Sequence, residues 1–286
     1  MRIAIVTDSI ADLPADVASE NGIFVVPLHV IFGEKSFLDG VDLSSREFFA
    51  RLKASDAAPS TSQPSPASFI SLYDRLLREY DYIFSIHASS KLSGTFQSAC
   101  IARDTLERGS IEVIDTHQAT MCQGFVALAA ARAVTAGAGP DGARDAIYQG
   151  INSARLLFTV DTLEHLARHG RIGKAASMLG TMMSVKPIVS IIDGEVTPVA
   201  KAYGRRSILP RVIEFMGEKI GPAQPIHAAI IDADSADRAD EWRVKIESLF
   251  SCREIIMTEC GPVVGTHAGP GAIGVAWLPC GGADLE

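Results

Sequence analysis

Residues 82–106 open with Tyr82-Ile83-Phe84-Ser85-Ile86-His87, pass through Ala88-Ser89-Ser90-Lys91-Leu92-Ser93-Gly94-Thr95, and continue with Phe96, Cys100, Ile101 and Leu106 at helical spacing. A β-rich run that feeds a polar, glycine-containing turn and then a helix is the repeating unit of a parallel α/β sheet. The same alternation extends outward. Residues 2–7, 24–32 and 111–115 read as further strands, and the Ala-rich apolar segment 122–134 reads as a helix. The expectation is α/β, with a mainly parallel sheet in the first half of the chain.

The break Ala136-Gly137-Ala138-Gly139-Pro140-Asp141 precedes one more helix and a strand at 156–160, where the pattern changes. A domain boundary is placed near Ala154, giving an N-terminal α/β domain over 1–154 and a C-terminal α/β domain over 155–286. In the second, residues 187–192 and 195–201 flank Asp193-Gly194, which supplies the positive φ angles of a tight hairpin turn. With strands at 226–231, 254–258 and 272–278, this predicts a mixed sheet.

The 286 residues are 47% hydrophobic and carry a formal charge of −8, which disfavours nucleic acid as a partner because a polyanion is repelled. No apolar run reaches the roughly 20 residues of a membrane span, and the chain opens on a strand pattern rather than a signal core. A cytoplasmic address is expected. Cys100, Cys122, Cys252, Cys260 and Cys280 form neither a disulfide framework nor a paired metal motif.

Three polar clusters stand out. Pro59-Ser60-Thr61-Ser62-Gln63-Pro64-Ser65-Pro66 has a rigid path and hydroxyl donors for an anion, though an ordinary loop accounts for it too. Ser89-Ser90-Lys91-Leu92-Ser93-Gly94-Thr95 lies between a strand and a helix, where free N–H groups and the helix dipole favour a carboxylate or phosphate; a plain helix cap is the competing reading. Gly265-Thr266-His267-Ala268-Gly269-Pro270-Gly271 reads as a shaped glycine-rich loop offering His267 to a ligand, or else as a loop with a structural histidine.

Other matches fall short. Gly269, Gly271 and Gly274 have dinucleotide spacing but precede a strand, and Gly170-Arg171-Ile172-Gly173-Lys174 lacks the gap and hydroxyl of a phosphate loop. His165 and His169 have the spacing of a metal pair without a third ligand. Met178, Met182 and Met183 would give one helix a soft face, suited equally to core packing or to an alkyl chain.

In order along the chain, Val6-Thr7-Asp8-Ser9, Thr61-Ser62-Gln63-Pro64-Ser65, residues 89–95, Gly170-Arg171-Ile172-Gly173-Lys174 and Thr266-His267-Ala268-Gly269-Pro270-Gly271 resemble the DegV family of bacterial fatty-acid-binding proteins. The resemblance implies two α/β domains with a ligand tunnel between them. It implies a long-chain fatty acid as ligand, no cofactor and no catalytic residue of the chain's own. The carboxylate contacts carried over are Thr61, Ser93 and His267, with Ser62, Gly94 and Thr95 secondary, and Arg171 at the head group or the domain interface. The implied partner is a separate ATP-dependent fatty acid kinase that makes acyl phosphate for phospholipid synthesis. Arg205 and Arg206 resemble the family's basic stretch and would face that kinase; transient membrane contact is left open. The competing reading is an α/β enzyme of a small phosphorylated or carboxylated metabolite, with Ser93 at the anion site and His267 as acid or base. A scaffold without any ligand is the third.

Overall fold

The structure is a computed structural model that describes residues 1–55, 58–181, 185–221 and 223–281. Four strands, β1 (Ile3–Asp8), β2 (Ile23–Val26), β6 (Tyr82–His87) and β7 (Ser110–Asp115), form an all-parallel sheet in the order β2-β1-β6-β7. Between them β3 (His29–Phe32), β4 (Lys35–Leu38) and β5 (Ser60–Ser62) make a small antiparallel sheet ordered β4-β3-β5. The helices of this part are α1 (Ala15–Glu20), α2 (Ser45–Ala54), α3 (Pro66–Leu76), α4 (Thr95–Leu106), α5 (Thr120–Thr135) and α6 (Pro140–Ser153).

From Arg155 onward the chain builds a six-stranded mixed sheet: β8 (Arg155–Thr159), β9 (Val185–Ile192), β10 (Glu195–Tyr203), β11 (Ile226–Asp232), β12 (Cys252–Glu259) and β13 (Ile273–Pro279), ordered β10-β9-β8-β13-β11-β12. Only β11 and β12 run parallel there. Four helices complete it, α7 (Glu164–Arg168), α8 (Ile208–Lys219), α9 (Ala236–Leu249) and α10 (Pro262–Ala268). The chain is mixed α/β, as the sequence predicted.

Period-two alternation assigns the faces. Ile3 and Ile5 of β1 belong to one core and Ala4 and Val6 to another; Ala229 and Ile231 of β11 belong to the first, Ala228 and Ile230 to a third. The shared core lies between the two large sheets. Its centre is α5, which has no polar face, is buried nearly all round and packs on both sheets. On the outer faces, α3 and α4 cover the parallel sheet, and α8 and α9 cover the mixed one.

Three expectations need correction. The run 24–32 is two strands in different sheets, because Pro27 cannot donate to a ladder and Pro27-Leu28 turns the chain. Residues 265–268 are helical, not loop: Pro262 starts α10 at its first turn, and the chain leaves the helix only at Gly269, φ 76°. Met178 lies buried in a 3-10 segment, Gly173–Thr181, rather than an α-helix, while Met182 and Met183 fall outside the described residues. The hairpin is as expected, with Asp193 at φ 52° and Gly194 at φ 81°.

Candidate functional site

A cavity opens between the amino-terminal end of α5 and the inner face of the mixed sheet. Its internal volume is about 130 Å³, opening at the mouth to solvent. Leu156, Phe158, Ile231 and Ile273 form its sheet side, Ile10, Leu28 and Leu92 the opposite side, and Val263 and Val264 of α10 a further wall. Polar lining is confined to Thr61, Gln63, Ser93, Thr120, Arg171 and His267.

Five of those six lie along a ring of contacts that passes in part through the chain itself, by way of Ser62, Gly94, Leu92 and His169. His267 Nε2 lies 3.0 Å from Thr61 Oγ1. The Gln63 amide covers the Ser93-Gly94 turn so closely that a Cβ on Gly94 would lie 2.5 Å from it. Next to Ser93, the Leu92 carbonyl accepts from Arg171 Nε at 3.0 Å, and Arg171 Nη1 donates to the His169 carbonyl at 2.6 Å. The His169 ring meets His267 edge-on, centroids 5.0 Å apart, which closes the ring.

Local sequence explains each placement. Thr61 sits on β5, paired with Val30 of β3, so its position follows from a strand register. Ser93 ends the turn after β6, where Ser89 accepts no freedom: its hydroxyl donates to the Gly194 carbonyl at 2.8 Å, tying the hairpin of the mixed sheet to the parallel sheet. A side chain at Gly194 would strike that hydroxyl at 2.5 Å. His267 is carried by α10, which approaches α2 because Gly265 has no Cβ; one would lie 2.9 Å from both Phe48 and Phe49. Glycine at 265 and 269 therefore serves close packing, the second against His165.

The electrostatics favour an anion held by neutral donors and one cation. Burial, then the nearby His169 and Arg171 charges, lower His267 to about 3, so it is neutral at physiological pH. Its Nδ1 is buried without a partner. A proton there would be a stranded donor, whereas a proton on Nε2 donates to Thr61 Oγ1. That tautomer leaves the Thr61 hydroxyl proton free to point into the cavity. Arg171, solvent-exposed at the rim, supplies the positive charge.

The structure thus brings Thr61, Ser93, Arg171 and His267 to one cavity. Ser62, Gly94 and Thr95 do not line it: Ser62 is exposed and donates to the Gln63 carbonyl at 3.3 Å, and Thr95 is buried behind Ser93, their hydroxyls 2.8 Å apart. Arg205 and Arg206 lie in a 3-10 turn elsewhere, where Arg205 pairs with Asp161 at 2.6 Å. Sequence reasoning did not assign Gln63 and His169 to the site, although Gln63 lies inside the first polar cluster and His169, weighed only as half of a metal pair, directly precedes Gly170-Arg171. The apolar wall had no local signature, since it is assembled from residues 10 to 274. Among the described residues no group of three His, Cys, Asp or Glu side chains gathers as a metal site, and no helix is long and apolar enough to cross a membrane.

A family model described as an uncharacterised protein of the DegV family matches residues 2–280. A DegV domain-containing protein of Halalkalibacterium halodurans is 39% identical over 280 residues, covering 96% of this chain and 98% of the relative. Among solved structures, a fatty-acid-binding DegV family protein of Thermus thermophilus superposes with a TM-score of 0.93 at 32% identity, over 98% of this chain and 100% of that one. DegV of Bacillus subtilis, described as a fatty acid binding protein, gives 0.89 at 32% identity over the same shares. With a cavity and polar ring in hand and relatives matching from end to end, the chain belongs to the DegV family.

Proposed function

We propose that this chain binds one long-chain fatty acid, with the alkyl chain in the cavity and the carboxylate at Thr61, Ser93 and Arg171, while His267 takes up the Thr61 oxygen and so turns the Thr61 hydroxyl proton to the ligand. The observation that carries the reading is the distribution of polarity: an apolar cavity in which five of the six polar lining residues lie together and Thr120 alone stands apart. A metabolite enzyme would need a compact polar pocket instead. Each methylene taken out of water contributes about 0.8 kcal/mol, so a chain of sixteen carbons has a gross drive of roughly 11 kcal/mol before ordering is subtracted. The solved relatives described as fatty-acid-binding support the ligand class.

In this reading the units 1–154 and 155–286 close on the lipid from either side, and the chain is a carrier rather than an enzyme. It presents the carboxylate to an ATP-dependent kinase that forms the acyl phosphate. Arg206, exposed beside the Arg205–Asp161 pair, belongs to the surface offered to that kinase. Titration with hexadecanoic acid and hexadecanol, followed by ATP and the candidate kinase of the source organism, tests both steps. Saturable binding that favours the acid, then acyl phosphate formed only with carrier present, is expected. No preference for the acid refutes the head-group site; acyl phosphate at the same rate without the carrier refutes the delivery role.

A further inference from the structure

The Val6-Thr7-Asp8-Ser9 segment contributes no side chain to the polar ring, yet it leads into a set of buried acids. After β1, Asp8 caps a 3-10 turn over Ser9–Ala11, its side chain accepting from the Ile10 N–H, and the turn ends on Asp12 in the left-handed region at φ 49°. This aims Asp12 across the molecule at the junction of β12 and α10. Asp12 Oδ1 accepts the Gly261 N–H at 2.9 Å, and its carbonyl accepts the Thr258 hydroxyl at 2.7 Å. Asp39 converges on the same residue: a Cβ on Gly261 would lie 3.0 Å from Asp12 Oδ1 and 3.2 Å from Asp39 Oδ1.

Gly261 immediately precedes α10, the seven-residue helix that carries His267. So short a helix has too few internal hydrogen bonds to fix its own direction and depends on its packing. It is held at its start by the two carboxyls, along one side by Phe48 and Phe49 against Gly265, and at its end by Thr61 on His267. We propose that Asp12 and Asp39 are positioning residues for the fatty-acid head group: together they clamp the start of α10 and so hold His267 against Thr61. The proposal rests on the fatty-acid reading given above.

The clamp carries a proton dependence. Burial first, and then neighbouring carboxylates, push Asp12 up to about 8, and burial first, with Asp8 adding, pushes Asp39 up to about 7. The titratable groups facing the pair are Asp8, itself bonded to His87, and the Cys260 thiol, on which Asp232 also acts. None of the groups that shift Asp12 or Asp39 is basic. Two carboxyls so placed keep a proton near neutrality, and a second negative charge in the buried site repels the first.

The test is the preference for hexadecanoic acid over hexadecanol, measured by titration at about pH 6.5 and about pH 9. The ratio reads the head group and cancels changes in the alkyl cavity, so a merely structural defect does not move it. Asp12→Ala should lower the ratio about tenfold at the lower pH while alcohol affinity is kept. The double variant Asp12→Asn, Asp39→Asn keeps neutral hydrogen-bonding groups, so its ratio should hold at the higher pH where that of the wild type falls. Ionisation of the lipid itself is common to both proteins. An Asp12→Ala ratio equal to the wild type overturns the clamp, as does a double variant whose ratio falls as steeply as the wild type's. If Asp12→Ala does not fold, the double variant decides alone. A wild type that never prefers the acid overturns the fatty-acid reading itself, and that outcome is distinct from both.

Discussion

Thr61→Val removes one hydroxyl from the polar ring and keeps the shape of the side chain. In the wild type this hydroxyl lines the cavity and lies 3.0 Å from His267 Nε2, which leaves its own proton for the lipid carboxylate. A hydrogen bond to a charged group contributes about 1.5–3 kcal/mol. At about 1.4 kcal/mol per decade, hexadecanoic acid should bind roughly 10- to 100-fold more weakly. Hexadecanol, which has no carboxylate, should lose far less. The variant also strands His267 Nε2 in both free and bound protein, so that part, about 1–3 kcal/mol, appears as a lower melting temperature rather than as lost affinity. Isothermal titration with the two lipids, beside a thermal melt, separates the effects. Unchanged affinity for the acid, with the melting temperature lowered, would show that Thr61 orders His267 without touching ligand and would refute the head-group assignment.

Other outcomes follow from particular contacts. Gly265→Leu drives a side chain into Phe48 and Phe49, so it should destabilise the fold by about 1–3 kcal/mol and weaken acid binding with it, read by denaturant melts and titration. Gly274→Val fills the cavity floor beside Phe158, where even a Cβ would lie 2.9 Å from the Phe158 Cβ; competition among acids of graded length should shift toward shorter chains. Asp12 and Asp39 have folded values raised above the ordinary carboxyl value of 3.8, so the folded state binds more protons than the unfolded one between about pH 4 and 8. Their contribution to stability is complete below about pH 4 and is lost as pH rises through about 7 and 8, a slope that the double asparagine variant should remove from a plot of melting temperature against pH. Ser85→Ala interrupts the buried chain from Tyr73 through Ser85 and His87 to Asp8, with links of 2.7, 2.7 and 2.8 Å. Despite the Ser-His-Asp composition, this chain is fully buried, so the variant should lower stability by about 1–3 kcal/mol and leave lipid affinity unchanged.

The parallel sheet was legible because β1 and β6 are buried on both faces and therefore read as short apolar runs, and because the Asp193-Gly194 turn carries its own backbone signature. The three-stranded sheet was not: Lys35–Leu38 and Ser60–Ser62 are short, Ser60–Ser62 has no apolar residue, and its pairing with β3 is a long-range choice. A cap signal at α2, where Ser44 and Glu47 form a reciprocal capping box, was present in the sequence and went unread. At the candidate site, Thr61, Ser93 and His267 stand in motifs that carry the family resemblance, but their meeting depends on α10 being a helix and on Gly265 passing close to α2. His267 as a neutral group also required the structure, since burial sets its protonation.

The most direct test is mass spectrometry of small molecules released from folded, purified protein, with protein denatured before lipid exposure as the control for adventitious lipid. One fatty acid per chain, absent from the control, is the predicted result. A protein that emerges empty and takes up no member of a fatty-acid panel would contradict the account.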